Sequence, residues 1–151
     1  MEQLTTYRAK GKEIGLVFLF KYDLNGNLKL FEISEGELNN EQMKWLFSPN
    51  FPANENIIKT IWMKDKKYNK VFEIEKSSAN LSFEALWNLY DNKVKRVECE
   101  KQFNKLKEAD VIKLFLSVPK YKDYLQRKRI AQAHLSTFIN QRYFEDDWSK
   151  A

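Results

Sequence analysis

One cysteine, Cys99, and one histidine, His134, leave this sequence of 151 residues nearly without the side chains that ligate soft metals or act as nucleophile and base. Neither has a second ligand at a metal-binding spacing, so no metal site is expected. A lone thiol also excludes an internal disulfide and fits a reducing compartment. Glycine and proline are scarce, at four and three residues. No Gly-x-x-x-x-Gly-Lys or Gly-x-Gly-x-x-Gly run occurs, so no loop that cradles a phosphate is expected. The longest apolar run, Ile14 to Phe20, is seven residues with a glycine inside, against the roughly 20 that a membrane span needs. Met1 to Arg8 is polar and the apolar run after it is short, so no secretion signal is read. The expectation from these absences is a non-enzymatic cytoplasmic protein with no catalytic residue, no cofactor and no membrane partner.

What is present is aromatic and basic. Phe, Tyr and Trp make up 15% of the residues, enough to build a core from large flat side chains. The net charge is +5 and its distribution is uneven. Residues 1–82 carry 12 Lys/Arg against 11 Asp/Glu, whereas residues 83–142 carry 13 against 7, a net of +6. Glu145, Asp146 and Asp147 follow, offset by Lys150. A basic segment beside a neutral one points to a polyanionic partner, and equally describes a solvated lysine-rich helical surface.

The pattern predicts an α+β protein: a small ββααβ unit over 1–76, a linker over 77–81 and a basic module of three to four helices over 82–151. Ile14 to Asp23 and Leu28 to Ser34 are β-rich, and the Asn25-Gly26 turn between them signals a hairpin. The second of these strands has no clean apolar face, which predicts cover on both sides or a place near an edge. Asn39 or Asn40 is a candidate cap for a helix with Met43, Leu46 and Phe47 inward, ending by Ser48-Pro49. Glu55 to Trp62 predicts a second helix with Ile57, Ile58 and Ile61 inward, Lys64 to Lys67 a charged turn, and Val71 to Glu75 a third strand. In the second half, Ser82 caps a helix with Phe83, Leu86, Trp87 and Tyr90 on one face. A helix over about Val94 to Lys107 turns Cys99, Phe103 and Leu106 inward. A third starts near Asp110 with a stripe from Val111 to Leu125, and Pro119 is expected to kink or break it. Ser136 is expected to cap a last helix over Thr137 to Arg142.

Two strings in the second half carry a resemblance. One is Phe83-x-x-Leu86-Trp87-x-x-Tyr90 with Lys93, Lys95 and Glu100-Lys101-x-Phe103-x-Lys105-Leu106. The other is Tyr121-x-x-Tyr124-Leu125 followed by Thr137-Phe138-Ile139-Asn140-x-Arg142-Tyr143-Phe144-Glu145-Asp146. Their order resembles a C-terminal module of phage and prophage proteins, some of them replication or primosome-type proteins. The first half, through Phe20-Lys21-Tyr22-Asp23-Leu24-Asn25-Gly26 and Trp45-Leu46-Phe47, is similar to the front portion of phage proteins from Bacteroidetes-type hosts. Asp91 departs from the family pattern, where proline is common, and Phe138-Ile139 replace Trp-Leu. The resemblance implies a phage accessory protein linked to DNA replication and transfers no catalytic residue.

The candidate nucleic-acid contacts are Lys93, Lys95 and Arg96 before the second helix of that half, Lys101 and Lys105 along it, the run Arg127-Lys128-Arg129, and Arg142. Such residues neutralise backbone phosphates without reading bases. Tyr121, Tyr124 and Tyr143 are candidates to stack on unpaired bases, or else core residues. Cys99 reads as a small buried hydrophobe in preference to a nucleophile paired with His134. The run 145–147 reads as a solvated segment in preference to a cation site. The alternative function is a protein–protein module, an adaptor or an inhibitor of a host protein. In it Trp45 and Trp62 would be exposed anchors, unless both fill the space between the two halves.

Overall fold

The computed structural model describes residues 3–151 and is a mixed α+β protein. The chain divides into two compact units, one ending at Ala79 and the other running from Asn80 to Ala151.

The first unit is a four-stranded antiparallel sheet in the order β3-β2-β1-β4 with short helices between β3 and β4. Its strands are β1 (Thr5–Gly11), β2 (Val17–Tyr22), β3 (Leu28–Glu35) and β4 (Phe72–Ser77). The sequence reading lacked β1, so the ββααβ unit gains a central strand. Its alternation is present, with Thr5, Tyr7, Ala9 and Gly11 buried and Thr6 and Arg8 partly covered. Three of those four inward residues are small or polar, which hides the apolar period. β3 lies at the sheet edge, with Leu30 and Ile33 exposed. In the β2–β3 hairpin only Gly26 takes positive φ, +83°. The turn is closed instead by the Asp23 carboxylate, which accepts from the amides of Asn25 and Asn27, both at 2.9 Å.

One helical stretch, α1 (Asn40–Leu46), starts at a complete capping box. The Asn39 carboxamide oxygen accepts from the Gln42 amide at 2.8 Å, and the Gln42 side chain accepts from the Asn39 amide at 2.9 Å. Leu46 is buried, but Met43 and Phe47 are exposed, contrary to the predicted stripe. The predicted helix over 55–62 is one turn of α-helix, α2 (Glu55–Ile57), followed by a π-helix over Ile58–Trp62. The wider π turn brings Ile58 and Trp62 inward together and rotates Ile61 out. The predicted charged turn is a short helix, α3 (Lys66–Asn69), capped by Asp65.

Trp62 is fully buried and Trp45 packs against the same core inside the first unit, so neither is an exposed anchor. The Trp62 ring stacks on Phe72 at 5.2 Å and Tyr68 at 5.5 Å. The polar tips of these buried aromatics all meet one segment. Trp62 Nε1 donates to the Asn50 carbonyl at 2.8 Å, and the hydroxyls of Tyr68, Tyr22 and Tyr7 donate to the Asn50 side chain, the Pro52 carbonyl and the Glu55 carboxylate, each at 2.7 Å.

The second unit contains α4 (Phe83–Tyr90), α5 (Arg96–Asn104), α6 (Glu108–Lys128), α7 (Leu135–Asn140) and a 3₁₀ turn over Tyr143–Glu145. Ser82 caps α4 through the Ala85 amide at 3.2 Å. The α4 face predicted to be apolar is buried throughout. α6 begins at Glu108, so Asp110 lies in its first turn and is not its cap. Contrary to the predicted break, α6 runs through Pro119 for 21 residues. Pro119 is exposed, and it denies the Phe115 carbonyl an amide partner. His134 and not Ser136 precedes α7, and Ser136 is buried within it. The described glycines all lie in the first unit, so left-handed turns in the second fall to Asp91, Lys95, Arg129 and Arg142.

Candidate nucleic-acid interface

All nine candidate cations are exposed, and two of them, Arg96 and Arg142, are held in ion pairs. Lys93 and Lys95 sit in the loop that enters α5, with Lys95 itself in the left-handed region at φ 59°. Lys101 lies on α5 and Lys105 closes it. Arg127 and Lys128 end α6, where their charge suits the negative end of the helix dipole, and Arg129 is the left-handed residue that terminates it. Lys93, Lys95, Lys101, Lys105, Lys128 and Arg129 form no ion pair among the described residues. Arg127 donates to the Trp148 carbonyl at 3.1 Å.

Arg96 and Arg142 are committed to the unit itself. Arg96 pairs with Glu84 and lies 5.5 Å from the ring centres of both Phe83 and Trp87. Arg142 reaches Glu145 at 2.7 Å and Asp110 at 3.2 Å, over the Phe144 ring at 4.9 Å. It thereby ties the first turn of α6 to the 3₁₀ turn. Hydrogen bonding from Arg142 holds the Glu145 carboxyl below its ordinary range, and Lys113 adds to the effect.

The three candidate stacking tyrosines form one aromatic group whose outer face is already covered. Tyr121 is buried and packs on Phe138 at 4.9 Å. Trp148 meets Tyr121 edge-on at 4.8 Å and packs at a tilt against Tyr124 at 5.0 Å and Tyr143 at 5.8 Å, and its Nε1 donates to the Tyr143 carbonyl at 2.8 Å. Sequence reasoning missed Trp148, and also Lys113 and Lys120 on α6. Both lysines line a hollow of about 280 Å³ together with Phe144, Asp146 and Asp147. The signal was available as α6 periodicity, since Lys113, Lys120 and Tyr124 fall seven and four residues apart.

The Cys99 sulfur faces the Val94 carbonyl at 3.7 Å, and burial pushes its thiol up, away from the thiolate that nucleophilic chemistry uses. His134 is exposed at the start of α7. Among the described residues, no three His, Cys, Asp or Glu side chains gather as metal ligands. No helix among them is long and apolar enough to cross a membrane. The first unit holds an apolar groove of about 580 Å³, bordered by Ile14, Leu16, Leu38, Trp45 and Val71.

The class that fold and surface define is an α+β protein with a basic, aromatic-cored helical second unit. Residues 78–142 match the model of one family, described as the Legionella vir region protein LvrA C-terminal domain. The matched span takes in α4 to α7 and stops before Trp148. No curated protein matches the chain, and no solved structure does.

Proposed function

We propose that this protein is a non-enzymatic cytoplasmic accessory factor that holds nucleic acid by its phosphate backbone, without reading sequence, through the second unit. The observation that carries the reading is the set of exposed, unpaired cations around α5 and at the end of α6, on a segment of net charge +6. Lys93, Lys95, Lys101, Lys105 and Arg127-Lys128-Arg129 are the contacts, while Arg96 and Arg142 serve the fold. The resemblance of residues 83–146 to modules of phage replication proteins supports a role beside DNA replication, on phage DNA in a host cytosol.

Fluorescence anisotropy with single- and double-stranded DNA tests this directly. Affinity should fall steeply with salt, by a log–log slope of about 0.9 per duplex phosphate contacted. Substituting Lys101 and Lys105 by Gln should lower that slope by about 2 at most and weaken all sequences alike. Absence of binding to either DNA at 50 mM salt ends the reading. A second reading is an adaptor or inhibitor that grips a host or phage protein, and the apolar groove under Trp45 favours it. It predicts capture of a stoichiometric partner that Leu38→Asp releases and that Lys101→Gln does not.

A further inference from the structure

β3 is an edge of the sheet, and its outer side is open. On its other side it pairs with β2 in unbroken register from Leu30–Lys21 to Ile33–Phe18, and the irregularities fall at the two ends. Among the described residues no further backbone hydrogen bond reaches residues 28–35. Alternate amides and carbonyls of this regular stretch therefore point outward unpaired. Edge strands are commonly blunted by proline, by lysine or by a covering loop. β3 has no proline, and its single lysine, Lys29, lies at the start of the strand, 3.9 Å from Asp23.

The two faces beside that edge differ. On the face that carries Phe31, exposed apolar side chains gather. They are Ile33 and, from the end of α1, Met43 and Phe47. Phe47 is 57% exposed and meets the Phe31 ring edge-on at 6.1 Å. On the opposite face stand Glu32 and, past the irregularity, Glu35, in register with Leu19 and Val17. Residues 32–41 hold four glutamates and no lysine or arginine, in a chain of net charge +5. Glu32, Glu35, Glu37 and Glu41 are exposed and form no ion pair among the described residues.

We infer that β3 is a docking edge for an extended, basic segment of a partner protein, which adds to the sheet as a fifth strand. The open backbone supplies main-chain hydrogen bonds, and alternate side chains of the incoming strand set which segment is taken. Those on one face meet Ile33, Met43 and Phe47 and are apolar. Those on the other meet Glu32 and Glu35 and are lysine or arginine, because opposite charges across a strand pair stabilise it. A second copy of β3 is disfavoured. Antiparallel pairing centred on Phe31, Glu32 or Ile33 sets Glu32 opposite or diagonal to its own counterpart. Docking here uses neither the cations of the second unit nor the groove under Trp45.

The test is fluorescence anisotropy of the full chain with a labelled peptide of alternating valine and lysine, matched to the eight residues of β3. A peptide of alternating proline and lysine has the same charge but lacks the donors of a ladder. The valine peptide should bind with a Kd of about 100 μM or tighter, and roughly tenfold more tightly than the proline peptide. Glu32→Lys with Glu35→Lys should weaken it about tenfold. Glu73→Lys with Glu75→Lys makes the same change of charge on β4, the other edge, and should shift it less than about twofold. Amide hydrogen exchange should slow within Leu30–Ile33 when the valine peptide is bound, and not within Phe72–Ser77. Three results each overturn the inference: no binding of the valine peptide at about 1 mM, equal binding of the two peptides, or equal loss in the two pairs of variants. A concentration-dependent dimer that excludes the peptide overturns it in favour of a second copy on this edge. The peptide comparison and the exchange measurement use wild type, so they decide even where a variant does not fold.

Discussion

The link from α6 to α7 hangs on two tyrosine hydroxyls, and removing one should have a measurable cost. Tyr90 is fully buried and donates to the Ala133 carbonyl, while the Ala133 amide donates to the Tyr121 hydroxyl at 3.1 Å. Both polar groups flanking Ala133 are thus satisfied by rings from α4 and α6. Gln132 adds a bond from its Nε2 to the Tyr90 carbonyl at 2.8 Å. Tyr90→Phe keeps the ring packing on Phe138 and deletes only the donor. A half-buried carbonyl left without its partner costs about 1 to 2 kcal/mol. For a unit of this size that corresponds to roughly 4–8 °C in Tm per kcal/mol. Tyr121→Phe should cost a similar amount, and the double variant should cost less than the sum, because both hydroxyls hold one segment. Differential scanning calorimetry resolves the transition and urea unfolding gives the free energy. If Tyr90→Phe lies within about 0.3 kcal/mol of wild type, the hydroxyl does not anchor the link.

Two further outcomes follow from the same physics. Asp91→Gly should stabilise the second unit by about 1 kcal/mol in urea unfolding, because Asp91 ends α4 at φ 55°, where glycine is unstrained, and places a negative charge at the negative end of the helix. Burial first, then neighbouring charge and hydroxyl groups, pushes the hydroxyls of Tyr7, Tyr22 and Tyr90 well above the ordinary tyrosine value. The folded state therefore keeps these protons above about pH 10, where the unfolded chain loses them. Their contribution is fully present below pH 10 and declines as pH rises beyond it. Chemical denaturation between pH 9 and 12 checks this, and Tyr22→Phe should make the decline shallower.

Much of the fold was legible because local rules carried it. Ser82 and the Phe83-Leu86-Trp87-Tyr90 face specify α4 by capping and period alone, and the capping box at Asn39 needs only residues 39 and 42. β1 was not legible, because its inward positions Thr5, Ala9 and Gly11 are apolar only through the partners that cover them. The alternative of a break at Pro119 failed for a related reason. A proline costs a helix one hydrogen bond, and the burial of Leu114, Phe115, Val118, Tyr121 and Leu125 along α6 outweighs that loss.

The candidate site divides along the same line. The sequence by itself determined where the positive charge lies along the chain, that the second half is helical, and that Cys99 and His134 stand alone as reactive side chains. Charge content and helical period are properties of neighbouring residues, so no fold is needed to read them. Only the tertiary structure decided which cations are spent. It pairs Arg96 with Glu84 and Arg142 with Asp110 and Glu145, and it packs Trp148 against Tyr121, Tyr124 and Tyr143. Those partners are separated by 12 to 32 positions in the arginine pairs Arg96–Glu84 and Arg142–Asp110. Helix packing brings them together, and no local pattern encodes which residue the packing will choose.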